Sequence, residues 1–424
     1  MEMDGIRSAG RIAPSARGGR SRLRLAVTAV LAGTLLLTAA CSGSDDKPSW
    51  QGGGAGAGAS TGPEESTSTA PAPALSTVAV TSPAADATSV ELWSEVKYNS
   101  EDPANTEVKV TNAKGKEVKG TVDKDGNLWR PSESLAWGTK YTVTVSTPAA
   151  DGKQNSATST FTTMKQPANL VRVSSFLADG QTVGVGMPLI MKFGRPIPEK
   201  YRAEVERRMT VTATPAQEGT WRWISSTEVH FRPQTYWKAN SKVFYKVALK
   251  GVKLGDGWYG RSDLTVDLKI GRELIMTVDN KTKKMTVKEN GKVIKTIPVS
   301  LGKKSTPSSS GTMVVMEKAA HTIFDTTDED PVNGYKTPID WAQRITYSGQ
   351  FIHAAPWSEG QQGRRNVSHG CVNVSEALGE WLFGKTLMGD VITVSGTEEK
   401  LKNGNGWTDW NMSYEEYKKG SYLK

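Results

Sequence analysis

The segment Ser368-His369-Gly370-Cys371-Val372-Asn373 decides how this chain is interpreted, together with Phe351-Ile352-His353, whose histidine lies 18 residues before the cysteine. The chain has 424 residues but only two cysteines and four histidines. Cys371 is therefore the one thiol in the body of the protein, and two of the histidines lie near it in sequence. A cysteine surrounded by Gly, His, Ser and Asn is a candidate for chemistry rather than for packing.

Residue chemistry alone offers three interpretations of Cys371. The first is an inert buried cysteine, which the polar neighbours disfavour. The second is a zinc site from His353, His369 and Cys371, which has suitable ligand types but no clear fourth ligand. The third is a nucleophile with a histidine partner, because a thiol of pKa about 8.5 is mostly protonated at neutral pH. Gly370 permits a tight turn there, and nearby N–H groups suit a developing oxyanion. The residue types favour the third interpretation and leave the substrate open.

The composition excludes several classes of protein. Two cysteines exclude a disulfide scaffold and a Cys-rich metal module. The formal net charge is +9, and residues 1–40 carry six arginines against two acidic residues. The remaining 47 basic and 42 acidic residues leave +5, without the basic, aromatic-rich stretch typical of nucleic-acid binding. We therefore expect no nucleic-acid partner and only weak attraction to anionic wall polymers or membrane surfaces.

The N-terminal segment is typical of an exported protein. Its arginines precede an apolar run, 25–40, that is too short to span a bilayer comfortably. The sequence Leu37-Thr38-Ala39-Ala40-Cys41 resembles a bacterial lipobox, which predicts a signal peptide over 1–41 and lipidation of Cys41. The alternative is ordinary cleavage after small residues, with Cys41 incidental. Residues 42–75, rich in Gly, Ala, Ser, Thr and Pro, predict a flexible linker. We expect an extracytoplasmic lipoprotein on the outer face of the membrane, reaching into the cell wall.

The next two segments, 76–166 and 167–271, predict two immunoglobulin-like β-sandwiches. Apolar residues alternate with a period of two, with turn residues about every ten positions. An internal repeat supports two copies, since Trp129-Arg130-Pro131 and Phe231-Arg232-Pro233 are offset by 102 residues. His230 lies in a strand and is interpreted as a packing or surface histidine. We expect both modules to be spacers or wall contacts.

A β-rich domain is predicted over 272–397, so the expected fold class is mainly β. Asn290-Gly291 between two alternating runs is a strong hairpin signal. The segment from Ser375 through Leu382 predicts a short helix, and 391–394 predicts a closing strand. The polar stretch 325–340 predicts an irregular functional loop.

A small C-terminal subdomain is predicted over 398–424. Ser413 and Glu416 predict a capping box for a last helix. Trp407 and Trp410 are expected to hold this tail against the preceding β-rich domain.

The motif residues resemble the L,D-transpeptidase (YkuD) catalytic domain. Besides His353 and the segment around Cys371, the resemblance includes Ser300-Leu301-Gly302-Lys303, Thr306-Pro307, Asn333-Gly334-Tyr335, Asp340-Trp341, Tyr347-Ser348-Gly349 and Ala354-Ala355-Pro356-Trp357. The order of lipobox, two immunoglobulin-like modules, catalytic domain and C-terminal subdomain is similar to that of the actinobacterial members. The resemblance implies a cofactor-free enzyme that remodels peptidoglycan and is acylated by carbapenem β-lactams.

The resemblance also implies a mechanism. Cys371 would attack the carbonyl of the third stem residue, a diamino acid, in a tetrapeptide donor. D-Ala would be released. A diamino-acid amine of a neighbouring stem would then form a 3→3 cross-link, with His353 as general base. The Gly370 and Cys371 N–H groups would form the oxyanion hole.

Further residues receive roles from the same resemblance. They are Ser368 and His369, which would shape the motif; Asn373, which would hold it by hydrogen bonds; Tyr335, the lid; Phe324, the apolar lining of the cleft; and Trp357 and Ala354, beside the substrate. His321 lies near Phe324 in sequence, and we expect a structural role for it. The residue after the base is often Ser in relatives and is Ala354 here. If the backbone carbonyl orients His353, Ala serves equally well, and we favour this interpretation.

Three alternatives to a transpeptidase remain at this stage. The same fold can act as an L,D-carboxypeptidase, with water as acceptor. A non-enzymatic wall-binding scaffold is disfavoured because both His353 and Cys371 are present. A metallohydrolase is the weakest alternative.

Overall fold

The computed structural model describes residues 78–149, 152–325, 327 and 336–423. The predicted signal peptide, the linker and the lipidation site Cys41 lie outside the described residues. The described residues all belong to one compact unit, Pro71–Lys424. Among them, no helix has both the length and the apolar character needed to cross a bilayer.

The first module is a sandwich of two four-stranded sheets. Its strands are β1 (Ala79–Ser82), β2 (Ala87–Val90), β3 (Val96–Asn99), β4 (Glu107–Asn112), β5 (Gly120–Asp123), β6 (Leu128–Pro131), β7 (Lys140–Pro148) and β8 (Gln154–Thr163). The sheet orders are β1-β3-β6-β5 and β2-β8-β7-β4. Alternate residues of β7 are buried, as a strand with one face on a core requires. The two sheets enclose a separate apolar cluster that includes Val96, Trp129 and Tyr141.

The second module repeats this topology with one added helix and a small third sheet. Its elements are β9 (Leu170–Val171), β10 (Val173–Ser175), β11 (Thr182–Val183), β12 (Leu189–Phe193), α1 (Glu199–Arg207), β13 (Met209–Thr214), β14 (Gly219–Trp223), β15 (Glu228–Pro233), β16 (Lys242–Val247), β17 (Lys253–Gly255), β18 (Trp258–Gly260) and β19 (Leu264–Ile270). The main sheets run β10-β12-β15-β14 and β11-β19-β16-β13, and the third runs β17-β18-β9. The repeated tripeptides occupy β6 and β15, which hold the same place in their sheets. The internal repeat is therefore a structural one.

The third region contains two sheets, a helix and the tail. Its elements are β20 (Leu274–Asp279), β21 (Lys284–Glu289), β22 (Lys292–Pro298), β23 (Ser309–Val314), β24 (Glu317–Asp325), β25 (Lys336–Arg344), β26 (Phe351–Ala354), β27 (Val372–Val374), α2 (Glu376–Lys385), β28 (Val391–Ser395), β29 (Glu399–Lys400) and α3 (Tyr414–Lys418). The sheets run β22-β21-β20-β28-β23-β29 and β24-β25-β26-β27. The mainly β fold class is confirmed.

Local sequence signals are confirmed where the physics is local. Asn290 and Gly291 have φ of 49° and 77°, as a type I′ turn requires, and they join β21 to β22. The predicted helix and closing strand correspond to α2 and β28. Ser413 accepts a hydrogen bond from the Glu416 N–H at 3.1 Å, which is the first half of the predicted capping box.

The predicted loop over 325–340 is wrong at its C-terminal end. Residues from Lys336 onward form β25, which pairs antiparallel with β24 along nearly its whole length. The polar residues of this stretch suggested a loop, but cross-strand pairing with β24 satisfies the backbone of a strand with a polar face. The lid residue Tyr335 lies outside the described residues.

The prediction for the tail tryptophans is confirmed for Trp407, whose backbone N–H donates to Met316 Sδ of the third region at 3.3 Å, and is corrected for Trp410. Trp410 donates its indole N–H to the Gly186 carbonyl at 2.7 Å and packs on Tyr236, both in the second module. Trp407 packs edge-on against Phe176 of that module, with ring centroids 4.9 Å apart. One apolar cluster therefore runs from the second module into the third region, where it includes Val314 and Val391. The second module and the third region share a core, so that module is more than a spacer.

Candidate active site

Two neighbouring parallel strands carry the motif. In β26 and β27, Ile352 lies opposite Val372 and His353 lies opposite Asn373. Cys371 immediately precedes β27. The 17 residues between His353 and Cys371 therefore include the crossover that parallel pairing requires, and the fold brings the two side chains to one cleft.

The cleft has a volume of about 500 Å³. It is lined by Phe324, Thr337, Ile339, His353, Trp357, Ser358, Gln361, Val367, Ser368, His369, Cys371 and Asn373. Seven of the residues assigned from the sequence are in this set. Thr337, Ile339, Ser358, Gln361 and Val367 were missed, because apolar or neutral side chains carry no chemical signal in a sequence.

Hydrogen bonds within the motif fix the turn before the cysteine. Ser368 donates its hydroxyl to the Cys371 carbonyl at 2.7 Å, and Ser308 donates to the Gly370 carbonyl at 2.7 Å. Gly370 has a φ of 123°, which residues with a Cβ rarely adopt. Its N–H donates to Ser368 Oγ at 3.1 Å. That N–H is thus engaged inside the turn, whereas the sequence had assigned it to the oxyanion hole.

The Cys371 thiol is in a neutral resting state. The residue is 8% exposed, and Sγ lies 3.8 Å from the Gly349 carbonyl oxygen, to which the thiol donates. Burial raises the pKa of Cys371 to about 11, although the Phe351 N–H and the Arg344 guanidinium oppose that shift. The thiol must therefore give up its proton to a base when it reacts.

His353 is oriented as that base. It is 6% exposed, and its Nδ1–H donates to the Ala354 carbonyl at 2.7 Å. Burial lowers the pKa of His353, and the Ala354 carbonyl opposes part of that effect. The imidazole is therefore neutral at pH 7, with the proton on Nδ1 and a lone pair on Nε2. The predicted contact through the backbone carbonyl, which needs no hydroxyl at position 354, is confirmed.

Asn373, Trp357 and Phe324 line the cleft with this pair, whereas Ala354 is buried and is not among the lining residues. Asn373 donates its amide to Ser358 Oγ at 3.2 Å. Trp357 is 61% exposed, and its ring centroid lies 5.9 Å from that of His353. Phe324 packs edge-on against Phe351, with ring centroids 5.7 Å apart. The rings of Trp357 and Phe324 both offer apolar surface at the cleft.

The remaining histidines have other roles. His369 is exposed, and its Nε2 lies 3.1 Å from Lys303 Nζ. Partial desolvation of the ring and the neighbouring ammonium both lower the pKa of His369. His321 pairs with Asp340 on the surface. His230 is buried and paired with Asp409 of the tail. His353 is therefore the histidine placed to serve Cys371.

The described residues do not form a metal site. Within them, no group of three or more His, Cys, Asp and Glu side chains is arranged to hold a metal ion. The Nδ1 atom of His353 is taken by a backbone carbonyl, and His369 faces an ammonium group. The arrangement instead suits acyl transfer, with a thiol nucleophile and a neutral imidazole base at one cleft.

Comparison with known proteins agrees with this chemistry. The bacterial Ig domain family model matches residues 87–253, and the L,D-transpeptidase catalytic domain model matches residues 273–394. L,D-transpeptidase 2 of Mycobacterium tuberculosis (strain CDC 1551 / Oshkosh) is 33% identical over 417 residues, covering 96% of this chain and 98% of the relative. L,D-transpeptidase 5 of Mycobacterium tuberculosis (strain ATCC 25618 / H37Rv) is 34% identical over 343 residues, covering 78% of this chain and 74% of the relative.

A solved LD transpeptidase in complex with imipenem is 33% identical, with a TM-score of 0.47, and covers 54% of this chain and all of the solved one. Together, the fold, the site and the full-length relative define a cysteine enzyme of the acyltransferase type. The chain belongs to the L,D-transpeptidase family.

Proposed function

We propose that this L,D-transpeptidase forms 3→3 cross-links in peptidoglycan through a thioester on Cys371, with release of D-Ala from a tetrapeptide donor. One observation carries the proposal. His353, whose Nδ1 lies 2.7 Å from the Ala354 carbonyl oxygen, lines the same cleft as the one thiol of the described residues.

The first half-reaction acylates the enzyme. His353 Nε2 takes the proton from the Cys371 thiol, and Sγ forms a bond to the carbonyl carbon of the third stem residue. The Cys371 N–H is the donor proposed for the developing oxyanion, since the Gly370 N–H is engaged with Ser368 Oγ. The tetrahedral intermediate collapses as the imidazolium protonates the departing amine of D-Ala. The product is a thioester and free D-Ala.

The second half-reaction resolves the thioester. The side-chain amine of a diamino acid on a neighbouring stem attacks the carbonyl, and His353 takes its proton. The C–S bond breaks, and the thiolate recovers a proton from the imidazolium. One amide bond is broken and one is formed, so the reaction needs no external energy source. Water in place of the amine gives the L,D-carboxypeptidase reaction.

The setting of this reaction is also proposed. The apolar run 25–40 and the lipobox-like segment support export and lipidation of Cys41. Residues 42–75 would then tether the enzyme to the outer face of the membrane while it works on wall peptides. A reactive thiol at an open cleft supports acylation by carbapenem β-lactams as well.

Mass spectrometry of the products tests the proposal. The enzyme is incubated with disaccharide-tetrapeptide, and Cys371→Ala is the control. We expect a dimer lighter than two monomers by one D-Ala, made by the wild type only. Loss of D-Ala without a dimer would indicate the carboxypeptidase, and no change dependent on Cys371 would indicate a scaffold. A carbapenem should add its mass to the wild type and not to Cys371→Ala.

A further inference from the structure

A second cavity, of about 170 Å³, lies close to the nucleophile. Phe324 lines both this cavity and the catalytic cleft. Arg344, Gly349 and Phe351 also line it. Because the Gly349 carbonyl accepts the hydrogen bond of the Cys371 thiol, this cavity borders the immediate surroundings of the nucleophile.

Strand pairing and ring packing fix Arg344 at this cavity. In the pairing of β25 with β26, Arg344 lies directly opposite Phe351. Its guanidinium carbon lies 4.5 Å from the centre of the Phe351 ring, within the range of a cation–π contact. Phe351 and Cys371 belong to the same buried cluster. The guanidinium is thus held on a ring that packs with the nucleophile.

The charged and titratable groups on the two sides of Cys371 differ. On the cleft side lie His353 and His369, with Lys303 against His369; on the side of the second cavity lie Glu317, Asp325, Tyr347 and Arg344. Glu317 lies opposite Arg344 in the hairpin, with Oε2 at 3.5 Å from Arg344 Nε, and is largely exposed. Arg344 is therefore the cation among the residues that line the second cavity and is partly neutralised by Glu317, while Lys336 pairs with Asp325 at 2.7 Å.

A cation at this place has a chemical consequence. When His353 removes the thiol proton, sulfur becomes negative inside an apolar cluster, and charge is poorly solvated there. A nearby guanidinium lowers the energy of that state. We propose that Arg344 is a positioning residue of the active site, acting through Phe351 to support the charged form of Cys371. This inference rests on the proposed role of Cys371 as nucleophile.

Alkylation of Cys371 by iodoacetamide tests the inference without any substrate. The rate is measured from pH 7 to pH 9 at the peptide that contains Cys371. Arg344→Gln should slow alkylation about two- to threefold at every pH, because a higher thiol pKa leaves less thiolate while making it somewhat more nucleophilic. Arg344→Lys keeps the charge and should stay close to wild type. Glu317→Gln removes the opposing charge and should not slow the reaction.

The two variants of Arg344 separate charge from structure. A merely structural role of the guanidinium predicts that the Gln and Lys variants behave alike, and that result would overturn the inference. Wild-type rates in Arg344→Gln would overturn it as well. Neither result depends on cross-linking. If the wild type makes no cross-link while the alkylation rates differ as expected, the proposed function fails and the electrostatic role stands.

Discussion

Replacing His230 by Gln should remove a pH-dependent part of the stability of the enzyme. His230 is 2% exposed, as is Asp409. Its Nδ1 lies 3.0 Å from Asp409 Oδ1, and its Nε2 lies 2.9 Å from Glu228 Oε1. Burial alone would lower the pKa of His230, but the two carboxylates outweigh burial and raise the pKa to about 9. The imidazolium therefore joins the tail to β15 as a buried cation.

The magnitude follows from the shift. An unfolded histidine has a pKa of about 6.5, and the rise of the His230 pKa to about 9 in the folded protein corresponds to about 3 kcal/mol. Breaking a buried ion pair by removing one partner costs about 3–5 kcal/mol. Because the folded pKa is raised, this stabilisation is complete below pH 6.5 and is lost as the pH rises through about 9. His230→Gln should thus be about 3 kcal/mol less stable at pH 6, and the difference should shrink toward pH 9.5.

Urea titrations at pH 6, 7.5 and 9.5 measure this difference. In each titration, unfolding is followed by hydrogen exchange at peptides of the tail, because a chain of several domains need not unfold in one step. His321→Gln is the matched control, because His321 also pairs with an aspartate but its side chain is 77% exposed. An exposed pair contributes at most about 1 kcal/mol. A difference that stays constant with pH, or one no larger than that of the control, would refute the reasoning.

Three further predictions concern Ala354, the first module and the C-terminal tail. Ala354→Ser should keep carbapenem acylation within about twofold of wild type, because the backbone carbonyl that holds His353 is unchanged; a gain or loss of tenfold would show that the hydroxyl matters. Deleting 76–166 should leave the acylation rate nearly unchanged, because that module has its own apolar cluster. Deleting 398–424, in contrast, removes Trp407 from the shared core and should unfold the enzyme. A large loss of rate without the first module would contradict its role as a spacer.

The sequence alone was sufficient wherever a short segment has one physical outcome. Asn290-Gly291 predicts its hairpin because few residues tolerate positive φ. The catalytic pair was found because Cys371 is a rare thiol near a histidine, in a motif specific enough to name a family. The repeated tripeptides likewise pointed to two modules, since the same alternation recurs at one offset.

The tertiary structure decided what depends on partners distant in sequence. The strand from Lys336 onward looks like a loop until β24 pairs with it. Trp410 is apolar wherever it lies, and only the fold shows that it packs on the second module. In the sequence Arg344 is indistinguishable from an ordinary surface cation, and only the pairing with β26 places Phe351 against its guanidinium. Local conformational propensity depends on neighbouring residues, whereas burial, strand pairing and electrostatic interactions depend on groups that only the folded chain brings together.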